Sequence, residues 1–320
     1  MMQRIPRSQA IGYLLSKNLA PVLRVRQGEA FVVETEDNVE GGLRSEDRLP
    51  TVENVPGLAF TPAKANPVAG PIYVEGAQKG DTLAIHIDRV EPDMQGVTFF
   101  GIGIGPLDAS PKWPELGKPF TKIIRHEAGP SGTTRDGRAV FNDRVSWELE
   151  PFIGTIATAP EWEAESAVLG QGLFGGNMDV RDIKEGNTLL LNCFAEGGLL
   201  FVGDVHASQS DSEWYAAADE CRAELGLRCE VIKDKRIPNP RIETPDAIIQ
   251  LCSDKPLEAA VNRAMTNLVD WMVTDYGVDV KDAYMFMSIC PDVRIHVYQM
   301  CPIGRLRFTV GVEIAKRHLV

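Results

Sequence analysis

The sequence predicts a β-rich fold that becomes a mixed α+β arrangement towards its C-terminus. Two observations carry this reading. The 29 glycines and 21 prolines lie between short β-branched runs, the pattern of many strands joined by turns. Apolar residues at spacings of three and four, by contrast, gather only in the last third of the chain. At 320 residues the chain exceeds the size that one core usually serves. Three packed lobes are therefore expected, an N-terminal β lobe over 1–140, a central β lobe over 141–210 and an α+β lobe over 211–320.

Strand starts come first. Segments 26–31 (RQGEAF), 78–83 (QKGDTL) and 184–189 (KEGNTL) share one pattern: a glycine free to adopt positive φ makes a turn, and an alternating strand follows. Gly70-Pro71-Ile72-Tyr73-Val74 stands to Gly80 as Gly176-Asn177-Met178-Asp179-Val180 stands to Gly186, which suits a duplicated β-unit, with shared turn chemistry as the competing reading. Segment 109–145, rich in Gly, Pro and charge, reads as a hairpin-bearing connection between lobes. Three helices are expected after it. Residues 212–225 space Ala216, Ala217, Cys221 and Leu225 by three and four, and 257–276 put Val261, Met265, Leu268 and Met272 on one face. The third, over 279–289, has Asp279 and Asp282 suited to its first turn.

Composition excludes several functions. With 33 Lys+Arg against 45 Asp+Glu the net charge is -12, which repels phosphate backbones and anionic membrane surfaces. Neither a signal h-region nor a membrane span is evident, so a soluble cytoplasmic protein is expected, without nucleic-acid or membrane partners. The six cysteines stand far apart with no CxxC pair and read as reduced core residues.

The richest chemistry lies in 203–213 (GDVHASQSDSE). Asp204 and His206 end an apolar strand and, two residues apart, share a face. A carboxylate beside an imidazole suits binding one cation or exchanging one proton. Gln209, Asp211 and Glu213 follow, although Asp211 and Ser212 also suit a helix cap and Glu213 the positive end of that helix. In 175–179 (GGNMD) two glycines permit close backbone approach, with Asn177 and Asp179 on one face; turn formation is the competing reading. Glu75 ends an apolar strand beside Gly76 and reads as either a general base or a solvated turn residue. Nucleophile motifs fare worse. Segment 129–133 (GPSGT) reads as an ordinary turn, Cys193 reads as a core thiol, and no GxSxG, Walker or HExxH motif is present. His126 and His318 sit in charged stretches and read as surface residues.

Several stretches together resemble the acetamidase/formamidase family: 21–25 (PVLRV) with Gly28-Glu29 and 34–37 (ETED), 70–83 (GPIYVEGAQKGDTL), 154–160 (GTIATAP), 175–179, 203–213, and 282–284 (DAY) with 292–295 (DVRI). They occur in the family's order from about Pro21 to Arg294. The resemblance implies a jelly-roll-like lobe, a barrel-like lobe and an α+β lobe, and hydrolysis of a small carboxamide such as formamide or acetamide to acid and ammonia. The sequence departs from the family pattern at Asn66, where His precedes Pro in many members, at Ala157, in place of the second glycine of a GTIG stretch, and over 11–15 (IGYLL), in place of a segment bearing His and Trp. Reaction type is thereby better supported than substrate.

Clustered carboxylates, an imidazole and amide side chains, without a convincing Ser or Cys nucleophile, point to a metal-activated water. Asp204 and His206 are the leading ligands, with Asp179 and Asn177 completing or supporting the shell. Glu75, Asp211 and Glu213 are the candidate catalytic acids and bases, and Gln209 and Gly176 the candidate substrate contacts. Mixed N/O ligation places zinc first among divalent ions, with calcium or magnesium as alternatives. The competing class is a non-catalytic small-ligand- or carbohydrate-binding β-protein. Apolar residues over 284–298 further suggest a homo-oligomer, a dimer by default.

Overall fold

The strand Thr82–Phe100 is the spine of the molecule. In the computed structural model, which describes residues 2–319, this strand of 19 residues pairs antiparallel with Glu220–Ile232, with Thr188–Asn192 at its start and with Phe120–Glu127 at its end. Hydrogen bonding runs on through a network of 18 strands. Glu220–Ile232 in turn pairs with Phe31–Thr35, which carries the curled sheet on beyond the spine. The expected β-rich α+β class is therefore the one adopted, with both α-helices near the C-terminus.

Gly28, Gly80 and Gly186 all take positive φ, and the strands Phe31–Thr35, Thr82–Phe100 and Thr188–Asn192 follow them, as the shared turn pattern predicts. The last two strands pair about a local two-fold axis. Ala84 faces Leu190, Thr82 faces Asn192 and His86 faces Thr188. The flanks repeat the symmetry: Gly80 N donates to Cys193 O (3.0 Å) and Gly186 N to Ile87 O (2.8 Å), while Cys193 N donates to Asp81 O (2.8 Å) and Ile87 N to Asn187 O (3.1 Å).

Two of the three expected helices form. Leu257–Tyr276 (α1) buries Ala260, Ala264, Leu268, Trp271 and Met272, a face turned slightly from the one expected, with Val261 and Met265 on its flank. It ends at Gly277 in the left-handed conformation, the usual C-terminal cap. Val280–Ile289 (α2) is capped by Asp279, whose side chain accepts from Lys281 N and Asp282 N. The expected helix over 212–225 does not exist. Only a short 3-10 turn occupies Asp211–Glu213, and Glu220–Ile232 is a strand whose buried residues Cys221, Ala223, Leu225, Leu227 and Cys229 alternate with more exposed ones. Period two wins because both neighbouring strands offer unpaired backbone along its length. The 109–145 connection holds the strands Phe120–Glu127 and Arg138–Val140, paired as a hairpin. His126, expected at the surface, is fully buried: its Nδ1–H donates to Asp93 O and its Nε2 lies 3.0 Å from Asp219 Oδ2. All six cysteines are free, five of them buried.

Candidate active site

Five backbone segments converge on one buried polar cluster. The strand Phe152–Ala157 lies between Gly175–Asn177 and Leu200–His206, with Thr155 facing both Asn177 and Gly203. Val68–Val74 flanks Leu200–His206 on its other edge, which brings Asn66 in. The pairing of His206 with Glu220 adds the last strand. Asp204 is not regularly extended, since its φ is 56°, yet its Oδ1 still lies 3.6 Å from His206 Nε2. Gly154 makes this convergence possible. A Cβ there would sit 2.8 Å from Asp179 Oδ1 and 3.0 Å from Asp204 Oδ2, so any side chain would displace both acids.

Four side chains in the cluster follow one scheme, in which one polar atom is held by the protein and the other has no partner. Asp204 Oδ2 accepts from Asn66 Nδ2 (2.6 Å) and Thr155 Oγ1 (3.0 Å). Asp179 Oδ2 accepts from Gln299 Nε2. Glu220 Oε1 accepts from Ala218 N (2.9 Å). His206 Nδ1–H donates to Gln209 Oε1 (2.8 Å), and Gln209 is itself oriented because its Nε2 donates to Asp179 O and Tyr298 O. Left over are Asp179 Oδ1, Asp204 Oδ1, His206 Nε2 and Glu220 Oε2, all buried without a hydrogen-bond partner. Ligand atoms from Asp179, Asp204 and His206, and from His206, Glu213 and Glu220, lie within 4.8 Å of one another. Buried polar atoms are ordinarily paired, so unpartnered atoms in two ligand groups that meet at His206 fit a divalent cation. The buried partner on His206 Nδ1 fixes the tautomer that leaves Nε2 free to ligate.

The electrostatics agree. Burial pushes the Glu213 carboxyl up to about 7, against the pull of His206. Burial also raises Asp179 well above the carboxylate range, with Glu213 adding to it, and raises Glu220. Burial disfavours the His206 imidazolium, but the facing Glu220 and Asp204 outweigh it and hold its pKa well above the ordinary value. Without a cation the acids crowd one another; a bound cation relieves this.

The structure brings together Asp179, Asp204, His206, Gln209 and Glu213 from the sequence-derived set. Asn177 is in the cluster but fully engaged: its Oδ1 accepts from Asn66 Nδ2 and shares the single Thr155 Oγ1 proton with Asp204 Oδ2, and its Nδ2 donates to Val168 O. Its place is support of the shell. Gly176 packs against Gly170 backbone, where a Cβ would come within 2.0 Å of the carbonyl oxygen, so it serves strand contact at that point. Asp211 is exposed and ion-paired with Arg181. Glu75 is corrected more strongly. It is exposed on the turn after Val68–Val74, about 30 Å of extended chain from Asn66 at ~3.3 Å per residue; its neighbours are the backbone of Val25 and the side chain of Gln27. Sequence reasoning missed Glu220, Gln299 and the role of Asn66. For Glu220 a signal existed, an acid opening an alternating apolar run, but the helical reading of 212–225 hid it. The nucleophile motifs stay excluded: burial pushes the Cys193 thiol up to about 12, and Ser131 is an exposed turn residue bonded to Asp136.

Beside the cluster opens a cavity of about 610 Å³, lined in part by Gln209, Glu213, Ser208 and Asp219. The chain is similar to known amidases. It is 27% identical over 261 residues to the acetamidase of Mycolicibacterium smegmatis, covering 65% of this chain and 63% of that one. It spans only 61% and 63% of the length of the curated relatives it matches. Two solved structures align over nearly the whole chain, both at 28% identity: an acetamidase from Bacillus halodurans, with a TM-score of 0.84 and coverage of 98% of each chain, and an acetamidase from Yersinia enterocolitica, with a TM-score of 0.86 and coverage of 100% and 93%. Fold and sequence likeness agree, and with its profile matching residues 15–170 and 162–314 the chain belongs to the Acetamidase/Formamidase family.

Proposed function

We propose that the protein hydrolyses the C–N bond of a carboxamide, releasing a carboxylic acid and ammonia, with a divalent cation held by Asp179, Asp204, His206 and Glu220. The observation that supports this most directly is the set of four unpartnered donor atoms, one from each of those residues. Zinc is the leading ion because an imidazole joins the carboxylates; the carboxylate excess keeps calcium and magnesium as alternatives. When bound, such an ion polarises an amide carbonyl and acidifies water.

The protein's own groups supply the rest. Of the cluster's carboxylates, Glu213 is the one that lines the cavity, placed to take a proton from water and return it to the departing nitrogen. Its backbone holds it there under strain, since both Ser212 and Glu213 take positive φ. Gln209 lines the same cavity while holding His206. Asn66, Thr155 and Gln299 keep the acids in one orientation and so reduce the reorganisation that catalysis would otherwise require. Among the described residues no helix is long and apolar enough to cross a membrane. We further propose that the protein acts as a cytoplasmic homodimer, the exposed apolar residues of α2 supporting the pairing.

The test combines elemental analysis of purified protein with ammonia release from a panel of short amides. We expect about one divalent ion per chain and turnover that chelation abolishes and the same ion restores. Metal-free protein with full turnover would refute the cation, and bound metal without turnover on any amide would favour a ligand-binding protein.

A further inference from the structure

We infer that the amide this site takes carries an uncharged aromatic or arylalkyl substituent, an inference that rests on the amidase reading above. The cavity that meets the cluster at Gln209 and Glu213 has a volume of about 610 Å³. That lies within the ~300–1,000 Å³ typical of sites for drug-sized ligands. An amide as small as acetamide has only about four non-hydrogen atoms and, at ~30 Å³ per water-sized group, fills roughly a fifth of it.

The character of the wall decides what fills the remainder. Phe141, Trp147, Trp214 and Tyr215 all line it. Trp214 is 49% exposed, although it directly follows the buried Glu213. The turn with positive φ at Ser212 and Glu213 separates the two directions, sending the acid into the cluster and the indole towards the cavity. Trp147 is fixed by donating Nε1–H to Ser208 Oγ (2.9 Å), and Tyr215 is fixed by its hydroxyl against Thr98 Oγ1. Rigid, partly wet aromatic faces beside a polar reaction centre are suited to stacking on a second aromatic ring.

Charge then restricts that ring. Glu148, Glu150, Glu213 and Asp219 line the cavity, against Arg181 alone among its basic residues. Arg181 is already paired with Asp211, so an anionic substituent meets like charge without a free counter-ion. A neutral ring does not.

The experiment measures kcat/KM for acetamide, phenylacetamide and 4-carboxyphenylacetamide with the cation-loaded enzyme. A single buried methylene already discriminates by ~10–200-fold, so we expect phenylacetamide to exceed acetamide by at least about tenfold, and the carboxylated analogue to fall at least about tenfold below phenylacetamide. Trp214→Ala, at a half-exposed position that the core does not need, should lower the phenylacetamide-to-acetamide ratio by about tenfold or more. Trp147→Phe, which keeps a ring, provides a second reading should the first variant misfold. Preference for acetamide, or a ratio unmoved by either variant, overturns the inference and leaves the amidase reading intact. No turnover of any of the three overturns both.

Discussion

Glu220 meets His206 through strand register, fourteen positions away in sequence being no obstacle once the two strands pair. Its free Oε2 lies 3.2 Å from His206 Nε2. Glu220→Gln keeps the shape and the bond from Ala218 N but removes the charge. We expect bound metal to fall well below one equivalent and amide turnover to drop by roughly 10² or more, read by elemental analysis and ammonia release. Full metal content with unchanged turnover would remove Glu220 from the site. Gln209 acts through His206. Gln209→Leu frees the ring to flip tautomer, so cation affinity should weaken by about 10–100-fold in competition with a chelator, with the far-ultraviolet spectrum unchanged. Asp204 and His206 could be paired from sequence because they lie two residues apart at the end of one short strand, and their side chains stay close although Asp204 departs from extended geometry. Asn66, Glu220 and Gln299 could not be, because only the folded sheet sets 66 beside 204 and 299 beside 179.

At the scale of elements, turns and helix caps were readable and one helix was not. The glycine turns at 28, 80 and 186 and the Asp279 cap depend on local conformation, which sequence specifies. Residues 212–225 satisfy helical spacing and strand alternation at once, and long-range pairing, invisible in one sequence, decides between them. Asp81, beside the Gly80 turn, anchors that element. Burial alone would raise its pKa, but Lys233 and the backbone N–H groups of Asp234 and Gln78 outweigh it and hold the carboxyl below its usual range. A depressed folded pKa gives stability that is present above the unfolded value near ~4 and is lost as pH falls through the folded one. Asp81→Asn should therefore lower stability at neutral pH by about 1–3 kcal/mol, and the gap between variant and parent should close in denaturant titrations taken down to about pH 2. The outer face of α2 makes a second element-level claim. Tyr284 and Ile289 are 74% and 76% exposed, with Met285 beside them, whereas Ala283 faces inward. An apolar face of that kind favours burial against a second copy. Light scattering should give a multiple of 35.1 kDa, and Ile289→Asp should shift the particle towards the single-chain mass. A parent protein already at that mass would refute this.

For the molecule as a whole, the cluster couples folding to its ion. Unpaired buried acids weaken the empty fold, and an ion that binds only the folded chain restores it by mass action. At a free-ion concentration about a hundredfold above Kd this amounts to about 2.7 kcal/mol. Stripping with a chelator should then lower Tm by roughly 4 °C, and re-addition of the native ion should recover it, while a monovalent salt at equal ionic strength should not. A Tm indifferent to chelation would mean that the four atoms are tolerated empty.

The two-fold pairing of Thr82–Phe100 with Thr188–Asn192 has the form of an isologous contact between identical partners, with Ala84 and Leu190 at the dyad. Within one chain, such a contact makes positions 106 residues apart two-fold equivalents, as Gly80 is to Gly186 and Ile87 to Cys193. Until residues 188–192 follow, the Thr82–His86 edge lacks the partner it has in the folded chain, and an unpaired strand edge is a template for pairing with another chain.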